Sequence, residues 1–308
     1  MTFLKLTTRI LLFVLGAGLT PIHLEAGTIE ENAERQRLNQ LKCVDKPFTE
    51  LSRQEVSDWG TLALRISEKD WKHAESEHFI VHYQVSDVKD RLIRDAEFYY
   101  WKLRRDFKAT QELVNHKSHL FVFQDDARWR QFQANVDWPG IGGVCRGHEF
   151  FSYFPKQKTK EFTATLAHEM THLVFHRFYP EHLALWLNEG LAEYQSRRAY
   201  RSLYDQGYET VGADFRTVSA LNFLAMVEMS QYPASVKTRQ AFYAKSHLTV
   251  ELLAEKGGMD RLVEFINLTF QGSSFTDAFA KVYDTIFHGQ ENFLKELERK
   301  EKHLNTRR

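Results

Sequence analysis

Residues 165–176 read TLAHEMTHLVFH, and no other stretch restricts the chain as much. His168 and His172 stand four apart with Glu169 between them. On an α-helix such positions share one face about one turn apart, so the two imidazoles converge on a single ion. Glu169 points about 100° round the axis from His168. It is placed to reach a water at the metal rather than to join both histidines as a ligand. Nitrogen donors suit Zn2+, and a catalytic zinc keeps three protein ligands and an open position for water. The stretch therefore requires a long helix, and a third ligand from somewhere else in the fold.

Three sources of that ligand compete. His176 follows His172 by one turn, but a straight helix sets it about 12 Å along the axis from His168, too far for one ion bonded at ~2 Å to join all three. The HExxHxxGxxH arrangement needs Gly at 175 and His at 178, where this chain has Phe175 and Phe178. A carboxylate on a following helix remains. The run LALWLNEGLAEYQSRRA (183–199) offers Glu189 and Glu193, four apart on one face, and Pro180 in the connector ends the first helix and lets the chain turn back.

Around this segment the chain changes character. Residues 78–85, 119–124 and 148–154 have strand composition, and 88–107 carries apolar residues at helical spacing. From 160 onward the runs 160–178, 183–199, 217–230, 236–256, 259–270, 273–286 and 290–305 are helical in period. Strands with an early helix, followed by helices, predict an α+β fold. PGIGGV (139–144) reads as a glycine-rich turn, and 291–308 as a charged helix facing solvent. Residues 27–75 are polar, with few strand signals.

The N-terminus reads as an export signal, 1–26. Lys5 and Arg9 precede an apolar run, 10–19, that is short for a membrane span; Pro21 breaks it and Ala26 offers a small residue for cleavage. The expected location is therefore periplasmic or secreted, with no stable membrane span once the signal is removed. Cys43 and Cys145 then have the option of pairing. Lys+Arg and Asp+Glu number 41 each, so no overall basic field argues for nucleic acid.

HEMTH followed by WLNEGLAEY resembles the gluzincin metallopeptidases, which include the thermolysin-like enzymes and aminopeptidases with a WLNEGFA segment. The resemblance implies Glu189 as the third zinc ligand. Sixteen residues, 173–188, separate it from His172, a connector slightly shorter than in those groups. It also implies Glu193 as the carboxylate behind His168, accepting that ring's outer N–H. A closer likeness is to the bacterial peptidase-MA-like proteins. It covers roughly 78–285, is sharp at 168–194, and takes in FYAKSHLTVELLAEKGG (242–258). It implies a zincin-like domain over 76–290, with a small mixed sheet, an active-site helix and a mostly helical C-terminal part.

The expected activity is zinc-dependent hydrolysis of a peptide or protein substrate, with Glu169 as general base. No GxMEN-type segment is present to hold a free amino terminus, which leans towards endopeptidase action. Tyr243, with His247 one turn beyond it, is the candidate donor to the oxyanion. The strand at 148–154 is a candidate to pair with substrate backbone. The competing reading is a catalytically silent zincin-fold binding or scaffold protein in the exported compartment. The intact Glu169 argues against it, because a purely structural metal site needs no base. Oligomeric state is not legible.

Overall fold

A computed structural model describes residues 28–109, 112–136, 142–154, 159–180, 183–204 and 213–306. The export signal expected at 1–26 lies outside them. In chain order the elements are α1 (Ile29–Asn39), β1 (Asp45–Lys46), α2 (Asp58–Arg65), β2 (Lys72–Glu75), β3 (Phe79–Tyr83), α3 (Lys89–Asp106), β4 (Ser118–Phe123), α4 (Asp126–Val136), β5 (Gly143–Arg146), β6 (Glu149–Tyr153), α5 (Thr159–Phe178), α6 (Leu185–Tyr204), α7 (Phe223–Val227), α8 (Val236–Phe270), α9 (Phe275–Val282), α10 (Asp284–Phe287) and α11 (Gln290–Thr306). Short 3-10 turns join several of them. The class is α+β with a mixed six-stranded sheet, as the order of strand and helix patterns predicted.

The sheet runs β1-β2-β3-β4-β6-β5. Its centre, β3, β4 and β6, is parallel, while β1, β2 and β5 pair antiparallel at the flanks. Alternation along β4 shows how one strand serves two cores. Leu120 and Val122 face a large core with α3, α5 and the C-terminal helices; Phe121 and Phe123 face a smaller one with Ala63 of α2 and Trp129 and Phe132 of α4. Because both faces are covered, β4 carries the continuous apolar run LFVF.

On the smaller-core side, histidines cross three strands. His73 Nδ1 lies 2.8 Å from His82 Nδ1, and His82 Nε2 lies 2.8 Å from His119 Nδ1. Each contact needs one N–H and one lone pair, so three neutral imidazoles relay a single donor direction. Burial keeps them neutral: His82 is held well below its usual pKa by burial and then by His119 and His73, and His119 is brought down to about 3.

Several elements depart from the sequence expectation. β1 and β2 lie in the polar stretch 27–75, and β2, as KHAE, has too little apolar character to register as a strand; its pairing with β3 makes it one. That stretch also joins the large core's surroundings through α1, where Lys102 of α3 sits buried between Glu31 at 3.0 Å and Asp106 at 2.7 Å. Residues 143–144, expected in a turn, begin β5. The run 217–230 is interrupted: a 3-10 turn ends at Ala220, and Asn222 caps α7 through the Ala225 N–H. The break expected near 257–258 is present inside α8, where Gly258 takes φ 76°. The charged C-terminal segment is not wholly solvated, since α11 buries Phe293 and Leu297 and pairs Glu301 with buried Lys245 at 2.5 Å. Among the described residues no helix is long and apolar enough to cross a membrane.

Candidate metal centre

Helix α5 is buried nearly all round its axis, with Phe162, Leu166, Met170, Leu173 and Val174 in the large core. That fixes its rotation and leaves His168 and His172 facing α6. Their Nε2 atoms are 3.3 Å apart. Glu189 Oε2, from the N-terminal part of α6, is 3.3 Å from His168 Nε2 and 3.5 Å from His172 Nε2. Ligand atoms bonded at roughly 2.0–2.1 Å to a tetrahedral ion stand about 3.3–3.4 Å from one another. The three donors therefore have the size of one face of such a coordination shell. Among the described residues they form the group of histidine, cysteine and carboxylate donors close enough to share an ion, all within 4.8 Å.

The charges and hydrogen bonds around the triangle suit a cation. Glu189 Oε2 is buried and has no hydrogen-bond partner, a costly state for a carboxylate oxygen unless a positive charge compensates it. Burial works against charging His168 and His172, yet Glu189 and Glu193 hold His168 well above the usual imidazole value, and Glu189 raises His172. Glu189 itself is held far below the carboxylate range by the two rings, in spite of burial.

Two polar side chains lie beside the outer nitrogens of the imidazoles. His172 Nδ1 donates to Asn188 Oδ1 at 3.2 Å, which leaves the Nε2 lone pair for the triangle. Glu193, fully buried, brings Oε1 to 3.4 Å from His168 Nδ1. Asn188 was not singled out from the sequence, although it immediately precedes Glu189 and so shares the stretch of α6 that faces α5.

Close approach of helices sets Glu189 in position. A Cβ on Gly190 would lie 2.5 Å from the Ser246 carbonyl oxygen and 2.8 Å from Val250 Cγ2. Only glycine lets α6 lie this near α8. Gly143 plays the same part on the other side: a Cβ there would meet Thr165 Cγ2 at 2.7 Å and Glu169 Cγ at 3.5 Å. Glu169 is half-buried and lies over β5, and its backbone carbonyl accepts from Cys145 Sγ at 3.0 Å.

The edge of the sheet is β5, not the aromatic strand considered for substrate pairing. β6 lies between β4 and β5, with both of its hydrogen-bonding sides occupied. Among the described residues the edge strand next to Glu169 is therefore Gly143–Arg146.

Tyr243 on α8 has its ring 6.3 Å from that of His168. His247, one turn on, is buried beside Tyr194 and Phe215 with Nε2 3.7 Å from Glu251, away from the triangle. His176 packs against His148, with ring centroids 4.5 Å apart, and takes no part in the ligand triangle. Cys43 and Cys145 are separate thiols. Sequence reasoning also missed Tyr232. Its hydroxyl donates to Glu189 Oε1 at 2.5 Å, from the segment between α7 and α8. It has no periodic signal, because a loop brings it to the site.

No protein-family model matches this chain, and no curated protein matches it.

Proposed function

We propose that the chain is a zinc-dependent peptidase of gluzincin type with a zincin-like fold, acting on internal bonds of a peptide or protein. The observation that carries this reading is the near-equilateral triangle of His168 Nε2, His172 Nε2 and Glu189 Oε2, with Glu169 next along the same helix and beside β5. Zinc, when bound, supplies a Lewis acid for the substrate carbonyl and lowers the pKa of its water towards ~7.

The chain's own residues supply the rest. An extended peptide adds to the free edge of β5, so its backbone is held by main-chain hydrogen bonds along Gly143–Arg146. The edge lies beside Glu169, so the scissile carbonyl is brought to the general base. Glu169 accepts a proton from the attacking water and returns it to the leaving amine as the C–N bond breaks. Tyr243, next to His168, supplies the hydroxyl that steadies the oxyanion. Asn188 and Glu193 keep both imidazoles in the tautomer that presents Nε2 inward.

The test is Glu169→Gln. The variant should retain about one zinc per chain and lose peptide hydrolysis by at least ~100-fold, assayed on an internally quenched peptide library. Hydrolysis at the wild-type rate would remove Glu169 from the chemistry. Wild-type protein that binds zinc and cleaves nothing in a broad library would favour the scaffold reading.

A further inference from the structure

Glu189 has two oxygens, and the site gives them different partners. Oε2 faces the two imidazoles, while Oε1 accepts from the Tyr232 hydroxyl at 2.5 Å. Building on the zinc reading above, we propose that Tyr232 is a positioning residue that confines Glu189 to one-oxygen ligation and so keeps the fourth coordination position free for water.

The geometry needs something of this kind. A carboxylate near a divalent ion can bind through one oxygen or two, and the second oxygen competes with water for the open position. Glu189 is almost wholly buried, so solvent does not hold Oε1 back. A charge-assisted O–H···O bond is strong and directional enough to do so.

Tyr232 is itself held in place. Arg239, on the first turn of α8, donates from Nε to the Pro233 carbonyl at 3.1 Å and from Nη2 to the Ala234 carbonyl at 3.5 Å. Ser235 caps the same helix through the Thr238 N–H. The ring packs edge-on to Phe242 with centroids 6.2 Å apart. The residue as a whole is nevertheless 39% exposed, while its hydroxyl reaches the buried carboxylate. Glu189 is thus oriented by a loop anchored to α8 as well as by its own helix.

The experiment compares wild type with Tyr232→Phe, which removes one oxygen atom and keeps the ring. Zinc affinity is measured by chelator competition. Visible absorption of the cobalt(II)-substituted protein reports coordination number, and thermal unfolding of the metal-free protein reports fold. The expected result is zinc affinity lower by roughly 10- to 100-fold. The cobalt bands should also weaken, as Glu189 closes onto the ion with both oxygens, while the metal-free melting temperature is little changed. A variant with wild-type zinc affinity and an unchanged cobalt spectrum overturns the proposal and leaves the zinc reading standing. A wild-type protein that binds no zinc overturns that reading instead.

Discussion

At the residue scale, the chemistry rests on how each imidazole is surrounded. Those of the triangle have carboxylates beside them, whereas for those of the sheet burial is the largest influence. His119 and His148 are both brought down to about 3, by burial first and then by neighbouring positive or imidazole groups. Free imidazole titrates near ~6.5, so below that pH the unfolded chain takes up protons that the folded chain refuses. The stability from such a group is complete above about 6.5 and declines as the pH falls towards 3, by about 1.4 kcal/mol per pH unit for each histidine kept neutral. The metal-free triangle histidines have raised values and act in the opposite sense, so the effect is isolated by comparison with His119→Phe. Between roughly pH 6 and pH 4 the urea-unfolding free energy of the wild type should fall more steeply than that of the variant, by about that slope. Parallel slopes would contradict the assignment of His119 as a buried neutral group.

At the element scale, α6 is the decisive piece, because its N-terminal part carries Asn188 and Glu189 towards α5 while Gly190 turns its bare face to α8. Gly190→Ala forces a methyl against the Ser246 carbonyl. Overpacking of this kind costs about 1–3 kcal/mol, and relief by tilting α6 moves Glu189 off the histidines. Both urea stability and zinc affinity should drop together; a fully stable variant with wild-type zinc affinity would show that the contact is not needed. Much of this arrangement is legible in the sequence. The four-residue spacing of His168 and His172 fixes a shared helix face, and Glu189 and Glu193 repeat that spacing on the next helix. Strands β3, β4 and β6 are legible because apolar runs mark strands buried on both faces. Strand β2 is not, since its polar residues become a strand only by pairing with β3. Strand β5 is hidden within a glycine-rich stretch whose glycine serves a close approach to α5. Tyr232 is illegible for a different reason: it reaches Glu189 across 43 residues of sequence, by a loop geometry with no period to read.

At the scale of the whole molecule, the sheet and the helical half meet at the centre. The sheet provides an edge strand, β5, beside Glu169; α5 and α6 provide His168, His172 and Glu189, α8 provides Tyr243, and the segment between α7 and α8 provides Tyr232. The polar N-terminal stretch contributes two strands of that sheet, and α1 is tied to α3 through Lys102. The decisive quantity is the metal content of the purified full chain after exhaustive dialysis, for wild type and for Glu189→Ala. Elemental analysis should find about one zinc per wild-type chain and far less than one in the variant, because two imidazoles alone hold the ion too weakly to survive dialysis. Metal-free wild-type protein after incubation with zinc, or full zinc retention in Glu189→Ala, would contradict the ligand set of His168, His172 and Glu189.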